Sequence, residues 1–203
     1  MARRSDHTRE ELLALLVDAA GEIVAGEGLP GLTARKVAAA VGYSPGTIYN
    51  VVENLDGLVV HVNAATLDRL IAAFEAVPLS GEPRRDLMAF VECYLEFEEA
   101  NPKLWGALFD YDLQEGGAWP DWFLVKIDRV FQLVEAALLP LVGAGGRRQA
   151  RVAIQVLWAG LHGITALARS GTLRTVAGES QWSMARNLAE SYLAGLLARR
   201  EGP

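Results

Sequence analysis

The sequence predicts an all-α protein of about nine helices. Nearly every segment repeats its apolar residues at the three-and-four spacing of a helix. No run alternates apolar and polar residues with the β-branched content of a strand, and the interruptions coincide with clusters of glycine and proline. A chain of 203 residues that is 51% hydrophobic and 22% charged has enough apolar mass to bury a sizeable core.

The first helix opens at Thr8, whose hydroxyl can cap free amides while Glu11, three residues on, reaches back in a capping box. Leu12, Leu16, Ala19, Ala20 and Ile23 then share one face. Three glycines and a proline make 26–31 a loop. A second helix runs from its N-cap Thr33 to Val41, where Gly42 supplies a left-handed terminator. Ser44 followed by Pro45 starts a third, over 45–51. A longer helix follows Gly57 and carries Leu58, Val62, Leu70, Ile71 and Phe74 to the Pro/Gly break at 77–83. Further helices are expected at 84–100, 102–114, 119–141, 147–170 and 180–199, separated by Asn101-Pro102, Gly116-Gly117, Gly143 to Gly146 and Gly171 to Gly178.

Composition narrows the function classes. The single cysteine, Cys93, cannot form an intramolecular disulfide, and the first residues lack the apolar stretch of a secretion signal, so a cytoplasmic protein is expected. The most membrane-like run, 152–168, is short and contains Gln155 and His162, which fits a buried helix better than a span, so no membrane partner is expected. No catalytic site is expected: Cys93, His61 and His162 are isolated, metal-ligand spacings are missing, and the glycines form no phosphate loop. No cofactor and no metal are therefore called for. The net charge of −6 gives no global basic field, so a nucleic-acid partner must be argued from local residues.

Two short helices joined by a tight turn form a helix-turn-helix, whose second helix enters the DNA major groove. The string from Leu32 to Tyr49, LTARKVAAAVGYSPGTIY, sharpens that geometry. On these residues, Arg9 to Leu58 resembles the DNA-binding domain of the TetR family of bacterial transcriptional regulators. Trp158, His162 and Gly163 likewise resemble the Trp and His-Gly signature of a C-terminal ligand-binding domain found in part of that family.

Side-chain chemistry assigns roles to the matched positions. Thr33 at a helix N-terminus offers a hydroxyl and amides to a phosphate. Arg35 can reach a phosphate or a guanine edge, and by the resemblance it occupies a base-contacting position. Lys36 suits a phosphate; Tyr43, Ser44, Thr47 and Tyr49 can bond backbone oxygens; Pro45 sets the helix start. Gly46 permits close approach to the groove, and Asn50 can pair with an adenine edge. Val37, Ala38, Val41 and Ile48 read as core. Two positions depart from the family pattern: Leu55 stands where a lysine is usual, and Val52 where an aromatic is usual. Residues 1–60 also carry five basic side chains (Arg3, Arg4, Arg9, Arg35, Lys36) against eight acidic ones. The basic ones are expected to cluster toward DNA, with Asp18, Glu22 and Glu27 toward the far end of the first helix.

Beyond residue 60, Tyr94, Trp105, Phe109, Trp158 and His162 are the candidate effector contacts, in the mostly apolar setting such pockets have. Glu92, Glu96 and Glu99 share a helical stripe that a cationic effector would relieve. The last two helices are unusually apolar, and the resemblance implies that they form a homodimer interface. The expectation is a ligand-responsive, dimeric repressor on a near-palindromic double-stranded DNA operator, released by a small-molecule effector. Residues 1–55 would bind DNA, and 56–203 would bind effector and dimerise. The alternative is a helical small-molecule sensor that has lost DNA binding.

Overall fold

The computed structural model describes residues 7–111, 118–141 and 146–200, with side chains as far as residue 198. The fold is all-α. Among the described residues there are ten helices: α1 (Arg9–Glu27), α2 (Ala34–Val41), α3 (Pro45–Tyr49), α4 (Leu55–Glu75), α5 (Pro83–Ala100), α6 (Pro102–Phe109), α7 (Asp121–Leu138), α8 (Gly146–Arg169), α9 (Thr172–Val176) and α10 (Gln181–Arg200). They divide between two compact units, Met1–Arg69 with Asn101–Leu124, and Leu70–Ala100 with Val125–Pro203.

In the first unit, local chemistry places the start of α1 and both ends of α2 where the sequence predicts them, whereas α3 ends at Tyr49, two residues short of the expected 45–51. Thr8 accepts from the Glu11 amide at 3.2 Å, and the Glu11 carboxylate accepts from the Thr8 amide at 2.7 Å, closing the capping box. Thr33 accepts from the Lys36 amide at 3.2 Å, and Gly42 ends α2 with φ +74°, a conformation that favours glycine. Ser44 flanks α3 but caps no amide; its hydroxyl instead bonds that of Thr47 at 2.9 Å. α4 starts at Leu55, before Gly57, because Asn54 Oδ1 accepts from the Gly57 amide at 2.8 Å. Leu12, Leu16, Ala20 and Val24 of α1 bury one stripe against Val37, Ala38, Ile48, Val52, Leu58 and Val62, with Leu104 and Ala107 of α6 closing the core. Each large aliphatic side chain so buried stabilises the unit by about 1.5–3 kcal/mol. Val41 is only partly buried at its edge.

In the second unit, the buried faces are Leu87, Phe90, Val91 and Leu95 of α5, Val134 and Leu138 of α7, Ala153, Ile154, Leu157 and Leu161 of α8, and Ala185, Ala189, Leu193 and Leu196 of α10. The loop before α5 is held by the buried Asp86 carboxylate, which accepts from the Ser80 amide and hydroxyl, both at 2.7 Å, and from the Gly81 amide at 3.0 Å. α8 and α10 pack so closely that a Cβ on Gly160 would stand 2.6 Å from Leu188 Cδ2.

Three further elements differ from expectation. α6 ends at Phe109, short of Gln114, and 112–117 lies outside the described residues. α7 gives way to a 3₁₀ turn at Leu139–Leu141 because Pro140 has no amide to continue the ladder. α9 occupies what reads as a Gly-flanked loop, seated by the buried Leu173. By length and composition α4 and α8 could each cross a bilayer, yet both contribute buried faces to these units and carry the buried polar side chains Asn63, Thr66 and Thr165.

Candidate nucleic-acid interface and effector-side cluster

Thr33, Arg35, Lys36, Ser44, Pro45, Gly46, Tyr49 and Asn50 are exposed on the α2–turn–α3 segment, and Tyr43 and Thr47 are partly buried there. Tyr49 is 50% exposed and is therefore available to a partner. A Cβ at Gly46 would meet only Ser44 Oγ at 3.9 Å, so no contact within the chain calls for glycine. Among the described residues, no hydrogen bond or ion pair restrains the Arg35 side chain.

The other basic groups are engaged. Arg9 Nη2 donates to the Val51 carbonyl at 3.1 Å, tying α1 to the chain just past α3 instead of projecting outward. Lys36 pairs with Glu27, which corrects the expectation that Glu27 stands apart from the basic side chains: the turn after α1 brings it beside α2. Arg3 and Arg4 lie outside the described residues. Val52 is core, and Leu55 packs at the core margin, so both departures from the family pattern serve packing.

Hydrogen bonds link α6 and its C-terminal extension to the helices behind this surface. Tyr111 donates to Asp56 in the first turn of α4, Asn63 Nδ2 donates to the Ala107 carbonyl at 3.0 Å, Arg69 donates to Asn101 Oδ1 at 2.6 Å, and Lys103 donates to the Gly26 carbonyl at the end of α1. Burial, with Asp56 close by, pushes the Tyr111 phenol well above its ordinary range, so it stays protonated and donates. Sequence reasoning missed these pairs, whose partners lie 32 to 77 residues apart.

The five effector candidates fall in both units. Trp105, fully buried, and Phe109 belong to the first, with ring centroids 4.7 Å apart. Tyr94, Trp158 and His162 meet in the second: Trp158 and His162 stack at 5.7 Å, and the Tyr94 hydroxyl bonds His162 Nδ1 at 3.3 Å. Phe131 extends the row by packing edge-on to Trp158 at 5.6 Å. Burial raises the Tyr94 phenol far above its usual range, and burial also raises the Glu98 carboxyl, against the pull of Arg169 at 3.7 Å. The acidic stripe on α5 is not vacant. Arg186 donates to Glu92 at 3.2 Å, and Gln181 and Trp182 both donate to Glu99 at 2.6 Å, so two of the three carboxylates of the stripe already have partners within the chain.

A family model described as the tetracyclin repressor-like C-terminal domain matches residues 87–190, more than half of the chain. The chain belongs to the TetR family. No curated protein sequence matches it. Solved structures share the fold at low identity. A Rhodococcus sp. RHA1 protein of unknown function has TM-score 0.74 and 20% identity, covering 97% of this chain and 100% of its own. A TetR regulator from Streptomyces coelicolor has TM-score 0.67 and 19% identity, covering 91% and 96%. The TetR-family regulator PfmR from Thermus thermophilus has TM-score 0.57 and 16% identity, covering 88% and 97%. As a TetR-family transcriptional regulator the protein falls in a non-enzymatic family whose members bind DNA and effectors.

Proposed function

We propose that this TetR-family regulator is a ligand-responsive repressor that binds a near-palindromic operator as a homodimer and is released by a small-molecule effector. The observation that carries the reading is the α2–turn–α3 surface, where unrestrained Arg35, exposed Tyr49 and Asn50, and a Gly46 with no internal reason to be glycine lie together. Thr33, Lys36, Tyr43, Ser44, Pro45 and Thr47 complete the contact set. DNA binding is assigned to 1–55, effector binding and dimerisation to 56–203, and the site of action to the cytoplasm.

The dimer reading rests on α8. Val152 and Val156 are each 51% exposed and Leu167 43%, in line with exposed Ala159 and Gly163, an apolar stripe that a second copy would bury. Two recognition helices about 34 Å apart would then read one operator face. Effector binding is assigned to Tyr94, Trp158 and His162, where the likeness to the Trp and His-Gly signature lies, and to Trp105 and Phe109. A shift of α6 would reach α4 through the Tyr111–Asp56 bond and change the spacing of the recognition helices.

Engagement of Arg9 and Lys36 within the chain favours the second reading, a sensor that no longer binds DNA. Selection of genomic fragments by the purified protein at two salt concentrations separates the two. Enrichment of one near-palindromic site supports the repressor. No enrichment at either salt, from a folded dimer, overturns the repressor and moves the weight to the sensor.

A further inference from the structure

His7 sits one residue before the N-cap of α1, at the exposed margin of the helix-turn-helix. Its Nδ1 lies 2.8 Å from the hydroxyl of Tyr43, the residue between the Gly42 terminator and α3. The two rings are tilted at 59° to each other, with their centroids 6.1 Å apart. α1 and the segment entering α3 are thus joined, 36 residues apart in sequence, by one exposed hydrogen bond between two polar rings.

The chemistry of this bond depends on one proton. In neutral imidazole with Nδ1 bare, the nitrogen accepts and the tyrosine O–H points inward at it. That proton is then withheld from any outside acceptor. When the ring takes a proton from solvent, both nitrogens become donors. Nδ1–H turns to the phenol oxygen, and the tyrosine O–H is released to point outward. The new positive charge is shared over the exposed imidazolium ring. One protonation therefore releases one new outward donor, the tyrosine O–H, and adds one charge to the imidazole, whose Nε2–H is a donor already, and together these are what a phosphodiester oxygen pair accepts.

We propose that His7 and Tyr43 form a phosphate clamp on the DNA backbone, closed by proton uptake at His7. The inference rests on the DNA-binding reading above. The charge inventory gives the clamp its weight: with Arg9 on the Val51 carbonyl and Lys36 on Glu27, a protonated His7 supplies the described part of this surface with a cation that those two engaged side chains do not offer. Among the described residues, the groups near His7 are these. Tyr43 is the one on the α3 side. On α1, Glu11 lies near enough to feel its charge but is held by Thr8, Glu10 is exposed, and the Arg9 guanidinium is turned toward Val51.

The test is binding to a labelled duplex recovered by the genomic selection, measured across a salt series at about pH 6 and about pH 8. Wild-type protein, His7→Asn and Tyr43→Phe are compared, with thermal melting to establish that each folds. Asparagine keeps a polar amide near the Nδ1 position and cannot take up the proton. Wild type is expected to bind roughly three- to tenfold more tightly at the lower pH, the effect of about one charge-assisted contact. Its slope of log K against log salt should steepen by about one per subunit. His7→Asn should show neither change, and Tyr43→Phe a reduced one. A wild-type affinity and salt slope that do not respond to pH, or a His7→Asn profile that tracks wild type, would overturn the clamp alone. No binding by wild type at either pH would overturn the DNA-binding reading and the clamp with it.

Discussion

Single side chains set the affinity that this surface can reach. Arg35→Ala should cost about 1–3 kcal/mol of operator binding if the guanidinium grips a guanine edge, and should relax preference at one operator position, read by titrating single-base variants. Glu27→Gln should act in the opposite direction. Lys36 loses its internal partner, so binding to mixed-sequence duplex should strengthen and its salt slope steepen by about one. Folding depends on equally local groups. Thr8→Ala removes the cap of α1 and should cost about 1 kcal/mol, seen as a melting point lower by about 2–4 °C. The reciprocal half of that box has a pH signature. The Thr8 amide, then the Thr8 hydroxyl, hold Glu11 below the ordinary carboxylate range. The stabilisation is therefore complete above the unfolded value, near 4.3, and is lost as pH falls through the lower folded value. Melting curves of wild type and Glu11→Gln should converge in acid and separate toward neutrality. These caps were legible in the sequence because donor and acceptor lie within one turn, whereas Arg9 with Val51, or Tyr111 with Asp56, are partners only after the chain has folded.

Helices carry the next layer of information, and periodicity reports their presence better than their surroundings. The apolar residues of α8 read as one broad stripe, yet Leu157 and Leu161 face the core while Val152 and Val156 face outward, because the helix is apolar on two faces. A stripe count cannot separate a core face from an interface face when both take the same residues. Val156→Glu puts a charge into the outer face and leaves the inner one untouched, so it should yield a folded monomer by sedimentation with unchanged helicity. A variant that remains dimeric would place the interface elsewhere. α9 escaped sequence reading for a related reason: five residues between glycines are too few to show a period, and its position is decided by the burial of Leu173. α6 was legible as a helix, but its attachment to α4 through Asn63 was not. A lone asparagine in an apolar run carries no mark of the carbonyl it will meet.

At the scale of the whole molecule, regulation requires that a small ligand and DNA prefer different arrangements of the same chain. Tyr111→Phe keeps the ring and removes the hydroxyl that bonds Asp56 at the start of α4. Operator affinity without effector should change little, while the ratio of operator affinities with and without effector should shrink severalfold, as anisotropy titrations with a screened effector would show. An unchanged ratio would route the coupling through other contacts. The exposed α2–turn–α3 surface was legible in the sequence because it is built from neighbours along the chain. The effector candidates come from α6 in one unit and from α5 and α8 in the other, and only the Trp158–His162 pair is local enough to read directly. The same non-local construction bears on how this protein can be re-engineered. The chain passes from one compact unit to the other at 69–70, 100–101 and 124–125, so neither unit is a continuous stretch of sequence. Cutting after the helix-turn-helix would strip Leu104 and Ala107 from the core that supports it. A chimaera meant to borrow this DNA specificity must transplant 101–124 along with the first 69 residues, making the exchangeable cassette a two-segment graft.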